Sequence, residues 1–438
     1  MALRLPDLES TYCSRLRTAG SFLGRQISTL MPVVAVLFVC IDSCSLPPKP
    51  IPTITQTVEN PRQGIYTTND PGDFPLPISG YEIFLIGEQI HGTNEVHRFL
   101  LRYLQILHES TGLRDVALEK GRGFERAVKQ YVMGLSENTS DYWYIGWEGI
   151  LEGIKSYNQG LPDGEKIRLH LVDVHGQLST IYAYMEELKE VMGPVADQIE
   201  VPSLSKFEQL GEADMLALLD QFAEIKDDPP RFTADLDTLR ASIKYHFTMD
   251  RVKRGIVPIG AAIKIRDECI ATNISYVLDA LDGAPLLALY GGWHAQKRPL
   301  IQAVEISDHM ASINAEPWAE IMTHSGVDIY SVLVGGITGK AHPHLITDVE
   351  SDPGQIYFPD GSTLADLLNK VPDDEVIYID LRSNANGGVR IGKNFDPWNI
   401  YDGEMPAGEA FDGLILFKEV TPTEWRFSSE TYPSPGIR

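Results

Sequence analysis

Glu88 and His91 in Gly87-Glu88-Gln89-Ile90-His91-Gly92-Thr93, Glu119 after Val116-Ala117-Leu118, and His294 after Gly291-Gly292-Trp293 each follow an apolar, strand-like run. Asp173 and His175 close another such run, Ile167 to Val172. Carboxylates and imidazoles can activate water in two ways. In the first, His91 or a glutamate takes a proton from water, the second histidine steadies the oxyanion, and mutual burial drives their pKa values apart. In the second, Glu88, His91, Glu119 and His294 hold a divalent metal, zinc or manganese by donor type, that acidifies the water. Glu-x-x-His is not the His-Glu-x-x-His pattern, and no two histidines stand four apart in the helix that follows. The metal-free route therefore leads, with no cofactor expected. A lone histidine beside a strand is more often a hydrogen-bonded structural group, but four strand ends carrying such groups together favour a site.

The elements that must position these groups read as alternating strands and helices. Tyr81 to Ile86 is a short apolar run ended by Gly87, the pattern of a core strand. Val96, Phe99, Leu100, Tyr103, Leu104 and Leu107 then recur at helical spacing, predicting a helix over Asn94 to Glu109 closed by Gly112. Thr93 is placed to cap it, so the positive end of the helix faces the same turn. Further strands are predicted at Asp115 to Leu118, Ile167 to Val172 and Pro285 to Tyr290, with helices at Phe124 to Met133 and Arg266 to Leu281. Right-handed crossovers in a largely parallel sheet bring the strand ends to one edge, where open α/β sheets take their ligands. Residues 178–254 lack strand signals and predict a helical insertion over one side of the sheet, broken at Pro202 and Asp227-Asp228-Pro229-Pro230. Later β signals lie at Tyr330 to Val334, Val376 to Leu381 and Leu414 to Phe417, with a short helix at Thr363 to Leu368. The expected fold is α/β and three-layered, a mostly parallel sheet with helices on both faces.

At 438 residues and 43% hydrophobic content the chain can bury a large core. Its net charge of -24 argues against nucleic acid or an anionic membrane as partner, since both demand clustered Lys and Arg. Arg15, Arg17 and Arg25 precede an apolar run from Leu30 to Ile41, too short to span a bilayer comfortably, and the Pro-rich stretch Leu46 to Pro52 follows. Residues 1–43 read as an export leader and 44–77 as a tether and irregular surface, leaving 78–438 as the folded domain. Ile41-Asp42-Ser43-Cys44 is similar to a lipobox, so the expected protein is exported, with a lipid on Cys44 as its membrane contact and a small molecule as its substrate. Of Cys13, Cys40, Cys44 and Cys269 only the last lies in the body of the chain, which excludes a disulfide framework there. A Gly-x-Ser-x-Gly elbow is missing, which disfavours an ordinary serine hydrolase. Gly335-Gly336-Ile337-Thr338-Gly339-Lys340 lacks the P-loop spacing and reads as a turn after a strand. Tyr142, Trp143, Tyr144 and Trp147 form an aromatic cluster suited to a pocket floor or to core packing.

Gly87-Glu88-Gln89-Ile90-His91-Gly92-Thr93-Asn94-Glu95, with Val116-Ala117-Leu118-Glu119, resembles the opening motifs of the erythromycin esterase family. Arg266-Asp267 with Asn273 resembles that family's Arg-Asp helix, and Ala410-Phe411-Asp412-Gly413-Leu414-Ile415 its closing strand. The resemblance implies metal-independent hydrolysis of an ester or lactone. His91 would be the water-activating base, Glu119 its partner and Glu88 a site carboxylate. His294 and Arg266 would stabilise substrate or oxyanion. Asp173 and His175 are expected beside the substrate from their own place at a strand end. The chain departs from the family in keeping only the last histidine of His-Asn-x-His, at His294, and in carrying Leu100 where an arginine is usual. Gly-Gly-x-His also resembles the related haem-uptake lipoproteins, which implies the alternative of a non-catalytic binder of haem or another small ligand.

Overall fold

The central strand β2 (Ile83–Glu88) is buried at every position. A strand covered on both faces needs a continuous apolar run rather than alternation, and Ile83-Phe84-Leu85-Ile86 supplies it. The computed structural model describes residues 64–68, 70–89, 91–136, 147–225, 232–298, 315–340, 376–383, 390–391 and 405–423. The expected leader, Cys44, Tyr142, Trp143, Tyr144 and the helix predicted at Thr363 to Leu368 lie outside them. The described residues belong to one compact unit, Ile54–Arg438.

The strands are β1 (Ile65–Thr68), β2, β3 (Asp115–Gly121), β4 (Arg168–Asp173), β5 (Leu286–Gly291), β6 (Ile329–Gly339), β7 (Val376–Asp380), β8 (Arg390–Ile391), β9 (Met405–Pro406) and β10 (Gly413–Val420). Eight of them form one sheet in the order β1-β7-β10-β6-β2-β5-β3-β4, while β8 and β9 pair separately. Within the sheet β7 alone runs against its neighbours; the other pairings are parallel. The helices are α1 (Asn94–Thr111), α2 (Glu125–Val132), α3 (Glu148–Gln159), α4 (Leu178–Met192), α5 (Leu204–Phe207), α6 (Glu212–Ala223), α7 (Thr233–Lys253), α8 (Ile259–Leu281), α9 (Trp318–His324) and α10 (Ala407–Ala410).

Two apolar layers flank the sheet. On one face α1, α2 and α3 pack on Phe84, Ile86, Val116, Leu118, Leu287 and Leu289. On the other, α8, α9 and α10 cover Ile83, Leu85, Ala117, Ala288 and Tyr290. A third core, containing Tyr184, Leu188, Phe207, Leu219, Phe222 and Leu239, lies within the helical segment α4 to α7. Asn273 of α8 ties that segment to the sheet, its Nδ2 donating to Val172 O of β4 at 2.9 Å and to Thr238 Oγ1 of α7 at 2.9 Å.

Helix α1 follows the predicted stripe: Val96, Phe99, Leu100, Tyr103, Leu104 and Leu107 are buried. Gly112 ends it in the left-handed region at φ 75, its N–H closing onto His108 O, a conformation that favours glycine. Four expectations change. Thr93 holds the N-cap position but makes no side-chain cap; it forms an isolated bridge with Pro422, and Asn94 N donates to Thr421 O at 3.0 Å instead. Ile65–Thr68, expected as irregular surface, pairs antiparallel with β7, because Ile-Tyr-Thr-Thr is a β-favouring run that half-buries itself at the sheet edge. Helix α8 starts at Ile259, more than a turn before the expected Arg266. Gly335 to Gly339 continue β6 rather than turning. There glycine is required by proximity: a Cβ on Gly335 would stand 1.8 Å from Gln89 Oε1, which instead accepts the Gly336 N–H at 2.9 Å. Among the described residues no helix is long and apolar enough to cross a membrane.

Candidate active site

The carboxyl ends of β2, β5, β3 and β4 lie side by side. Glu88 is the last residue of β2 and registers with Gly291, the last of β5. Strand β3 follows β5 only as far as Leu118 and is irregular before Gly121 meets Asp173 of β4. Glu119 sits where β3 parts from β5, and its Oε2 accepts the Gly291 N–H at 2.6 Å. A parallel sheet thus sets the spacing, and one local irregularity turns a strand residue into a site residue.

His91 stands between the two glutamates. Its Nδ1 is 2.6 Å from Glu88 Oε2, and its Nε2 is 3.9 Å from Glu119 Oε2. Its side chain keeps 30% exposure whereas that of Glu88 keeps 1%, so the imidazole is the member of the pair that a substrate can reach. Burial pushes the His91 pKa down, but the charge of Glu119 and the hydrogen bond and charge of Glu88 outweigh it and raise it to about 9, against an opposing push from Arg266. Gly291 permits this approach, since a Cβ there would lie 3.2 Å from His91 Nε2.

Arg266 of α8 organises the other half. Its Nε donates to Asp173 at 3.0 and 3.1 Å, and its Nη2 donates to Asp173 Oδ2 at 2.6 Å and also to Glu119 Oε1. Its Nη1 lies 3.0 Å from His294 Nε2. Burial pushes the Glu119 carboxyl up, yet Arg266 above all, with His91 and the Gly291 N–H, outweighs it and holds it down to about 2. Arg266 stays cationic, because Asp173 and Glu119 more than offset the burial that would disfavour its charge.

Glu88, His91, Glu119, Asp173, Arg266 and His294 therefore form one connected network. His175 does not join it. Its ring packs among Phe124 and Tyr184, its Nε2 accepts the Gly123 N–H at 2.9 Å, and burial pushes its pKa down to about 3. A buried, neutral ring braced this way fastens the β3–α2 turn, apart from the network its sequence position suggested it would join. Asp173, expected beside the substrate, has both oxygens engaged by Arg266, with Oδ1 also accepting the Val174 N–H.

His97 and Tyr245 escaped the sequence reading, and Asp267 entered it only within the Arg-Asp helix motif, without a role at the site. His97 of α1 is buried beside Trp147, with its Nε2 3.8 Å from Glu88 Oε1, an oxygen without a hydrogen-bond partner. Asp267 of α8 accepts from His294 Nδ1 at 2.8 Å. Both lie on the buried stripes of their helices, His97 in line with Leu100 and Leu104, Asp267 with Ile270 and Ile274. An ionisable side chain inside an apolar stripe was the available signal. Tyr245 of α7 lies within the field of Arg266, Asp173, Asp267 and Glu119, and burial raises its pKa; nothing in the pattern of α7 marks it.

Among the described residues no three His, Cys, Asp or Glu side chains converge as a metal site would need. The guanidinium of Arg266 occupies the space between Glu119, Asp173 and His294, where a cation is already supplied by the chain.

No family model and no curated protein matches this sequence. Solved structures do match. Erythromycin esterase EreC, a mutant in its open conformation, superposes with a TM-score of 0.61 over 80% of this chain and 94% of its own, at 14% identity. The chain shares the fold of an erythromycin esterase. A protein described for succinoglycan biosynthesis aligns at TM-score 0.57 and 13% identity over 82% of this chain and 94% of its own. A Bacillus cereus protein aligns at 0.56 and 17% over 81% and 94%. Identities this low speak to the fold, so what the site does rests on its own geometry.

Proposed function

We propose that the chain is a metal-independent hydrolase of an ester or lactone bond in a small molecule. The observation that carries this reading is the partly exposed His91 imidazole set between the carboxylates of Glu88 and Glu119 at a sheet edge. Neutral His91 takes a proton from water as the water oxygen bonds to the acyl carbon, and the two carboxylates stabilise the resulting imidazolium. Arg266 stabilises the charge that develops on the carbonyl oxygen. The imidazolium then returns its proton to the departing alcohol oxygen as the ester C–O bond breaks. The fold shared with erythromycin esterase supports the reaction class, and the Arg266 cation within the carboxylate cluster supports catalysis without a metal. Leu100, where the family pattern has an arginine, is a fully buried residue of the core between α1 and the sheet.

The test is hydrolysis of an ester and lactone panel, macrolides included, by the purified protein, with His91→Ala and a chelator as parallel arms. Activity lost in the variant and kept with chelator is expected. Activity abolished by chelator and restored by zinc or manganese would overturn the metal-free reading. A Soret shift on haem titration with no His91-dependent turnover anywhere in the panel would overturn hydrolysis in favour of ligand binding.

A further inference from the structure

We infer that Asp267 and His294 are positioning residues that act through Arg266, and that His294 neither accepts the proton of water nor donates to the oxyanion. The inference rests on the hydrolytic reading of the same site and assigns roles within it.

Hydrogen counting carries the argument. Asp267 Oδ1 lies 2.8 Å from both His294 Nδ1 and the Trp318 backbone nitrogen. The Trp318 N–H can only donate, so this oxygen is an acceptor, and His294 Nδ1 carries the hydrogen that completes the contact. On the other side of the ring, Nε2 faces Arg266 Nη1 at 3.0 Å. A guanidinium has five N–H donors and no acceptor, so Nε2 must offer its lone pair. His294 is thus the neutral ring with its hydrogen on Nδ1, and both nitrogens are committed. Water finds no free lone pair there, and an oxyanion finds no hydrogen.

Arg266 is held from three sides. Nε and one Nη2 hydrogen go to Asp173, the second Nη2 hydrogen to Glu119, and one Nη1 hydrogen to His294. Four of the five hydrogens are used, leaving one on Nη1, the nitrogen that His294 anchors. Asp267 orients His294, His294 fixes Nη1, and the remaining Nη1 hydrogen is the guanidinium donor left for substrate. The packing supports a fixed frame: Asp267 is fully buried, and Tyr290 and Trp293 pack edge-on against His294.

Two measurements test this on the whole protein. Ring-nitrogen NMR of uniformly labelled protein at pH 7, with His294→Gln used to assign the signals, should show His294 protonated at Nδ1 and unprotonated at Nε2. A ring protonated on both nitrogens, or on Nε2 alone, overturns the inference without reference to any substrate. In the second, a Gln side chain at 294 can still accept from Arg266, and an Asn at 267 can still accept from both Trp318 and His294. On the most active ester of the panel, kcat should fall about tenfold in His294→Gln and Asp267→Asn and about a thousandfold in His294→Leu, the scale of a lost oxyanion donor. His294→Gln falling as far as His294→Leu, with both folded by circular dichroism, would show that the imidazole itself acts and would sink the positioning role. Absence of His91-dependent turnover would instead count against the hydrolytic reading, and the NMR result would still decide how His294 is held.

Discussion

Replacing Glu119 by Gln should move the pH at which the proposed hydrolysis switches on. In the native site His91 is raised from 6.5 to about 9, with the charge of Glu119 the largest influence raising it. A base works only when neutral, so at pH 7 about one His91 in a hundred is competent, and kcat/KM should climb roughly fiftyfold between pH 7 and 9 and level off above about pH 10. In Glu119→Gln that attraction is gone while the opposing push of Arg266 remains. The inflection should therefore drop by more than about one pH unit, reflecting at least about 1.4 kcal/mol of lost imidazolium stabilisation. Linkage supplies an independent readout. The folded state holds the His91 proton more tightly than the unfolded chain, so this contribution is complete below pH 6.5 and lost as pH rises through about 9. Its full size is on the order of 3 kcal/mol, and the decline in urea-unfolding stability over that window should be visibly smaller in Glu119→Gln. A native pH–rate profile that is flat or falling from pH 6 to 9 would refute His91 as the base, and an unmoved inflection in the variant would refute the assigned cause.

Gly291→Ala would bring a methyl group to 3.2 Å from His91 Nε2 and 3.5 Å from Glu119 Oε2. We expect roughly tenfold lower kcat/KM from the displaced imidazole, with thermal unfolding moved by only a few degrees; native-like turnover would show that the ring needs no such clearance. Asn158→Ala removes a buried amide that donates to Val132 O and Ile167 O at 3.0 Å each and accepts from Ile167 N at 2.7 Å. Denaturant unfolding should lose about 3 kcal/mol, with kcat per folded molecule unchanged.

The order and type of the elements around the site were legible in the sequence because burial on both faces of a parallel sheet writes long apolar runs. Ile83 to Ile86 and Leu286 to Tyr290 could hardly be anything but central strands. The amphipathic stripe of α1 and its closing Gly112 were equally plain, since side-chain period and backbone handedness are local properties. Edge and irregular features were less so. Ile65–Thr68 is short and only half-buried, so its pairing with β7, more than 300 residues away in sequence, left too weak a local pattern to outweigh the surrounding Pro, Gly and Asp residues.

The same division runs through the site. Its residue types and their places at strand ends are local facts, and Glu88, His91, Glu119, Asp173 and His294 could be named from them. Which of them touch is decided by register and packing over long separations: Arg266 meets Asp173 across 93 positions and Glu119 across 147. His175 shows the limit. It follows a strand end just as His91 does, yet the turn after β4 buries its ring under Gly121 and Gly123, while the hydrogen bond to Glu88 at the sheet edge leaves His91 partly exposed. The sequence by itself determined the α/β architecture and the chemical inventory at the strand ends. Only the tertiary structure decided which of them meet and how the pKa values of His91 and Glu119 are shifted, because a pKa or a hydrogen-bond direction depends on which charges and donors folding brings within a few ångströms.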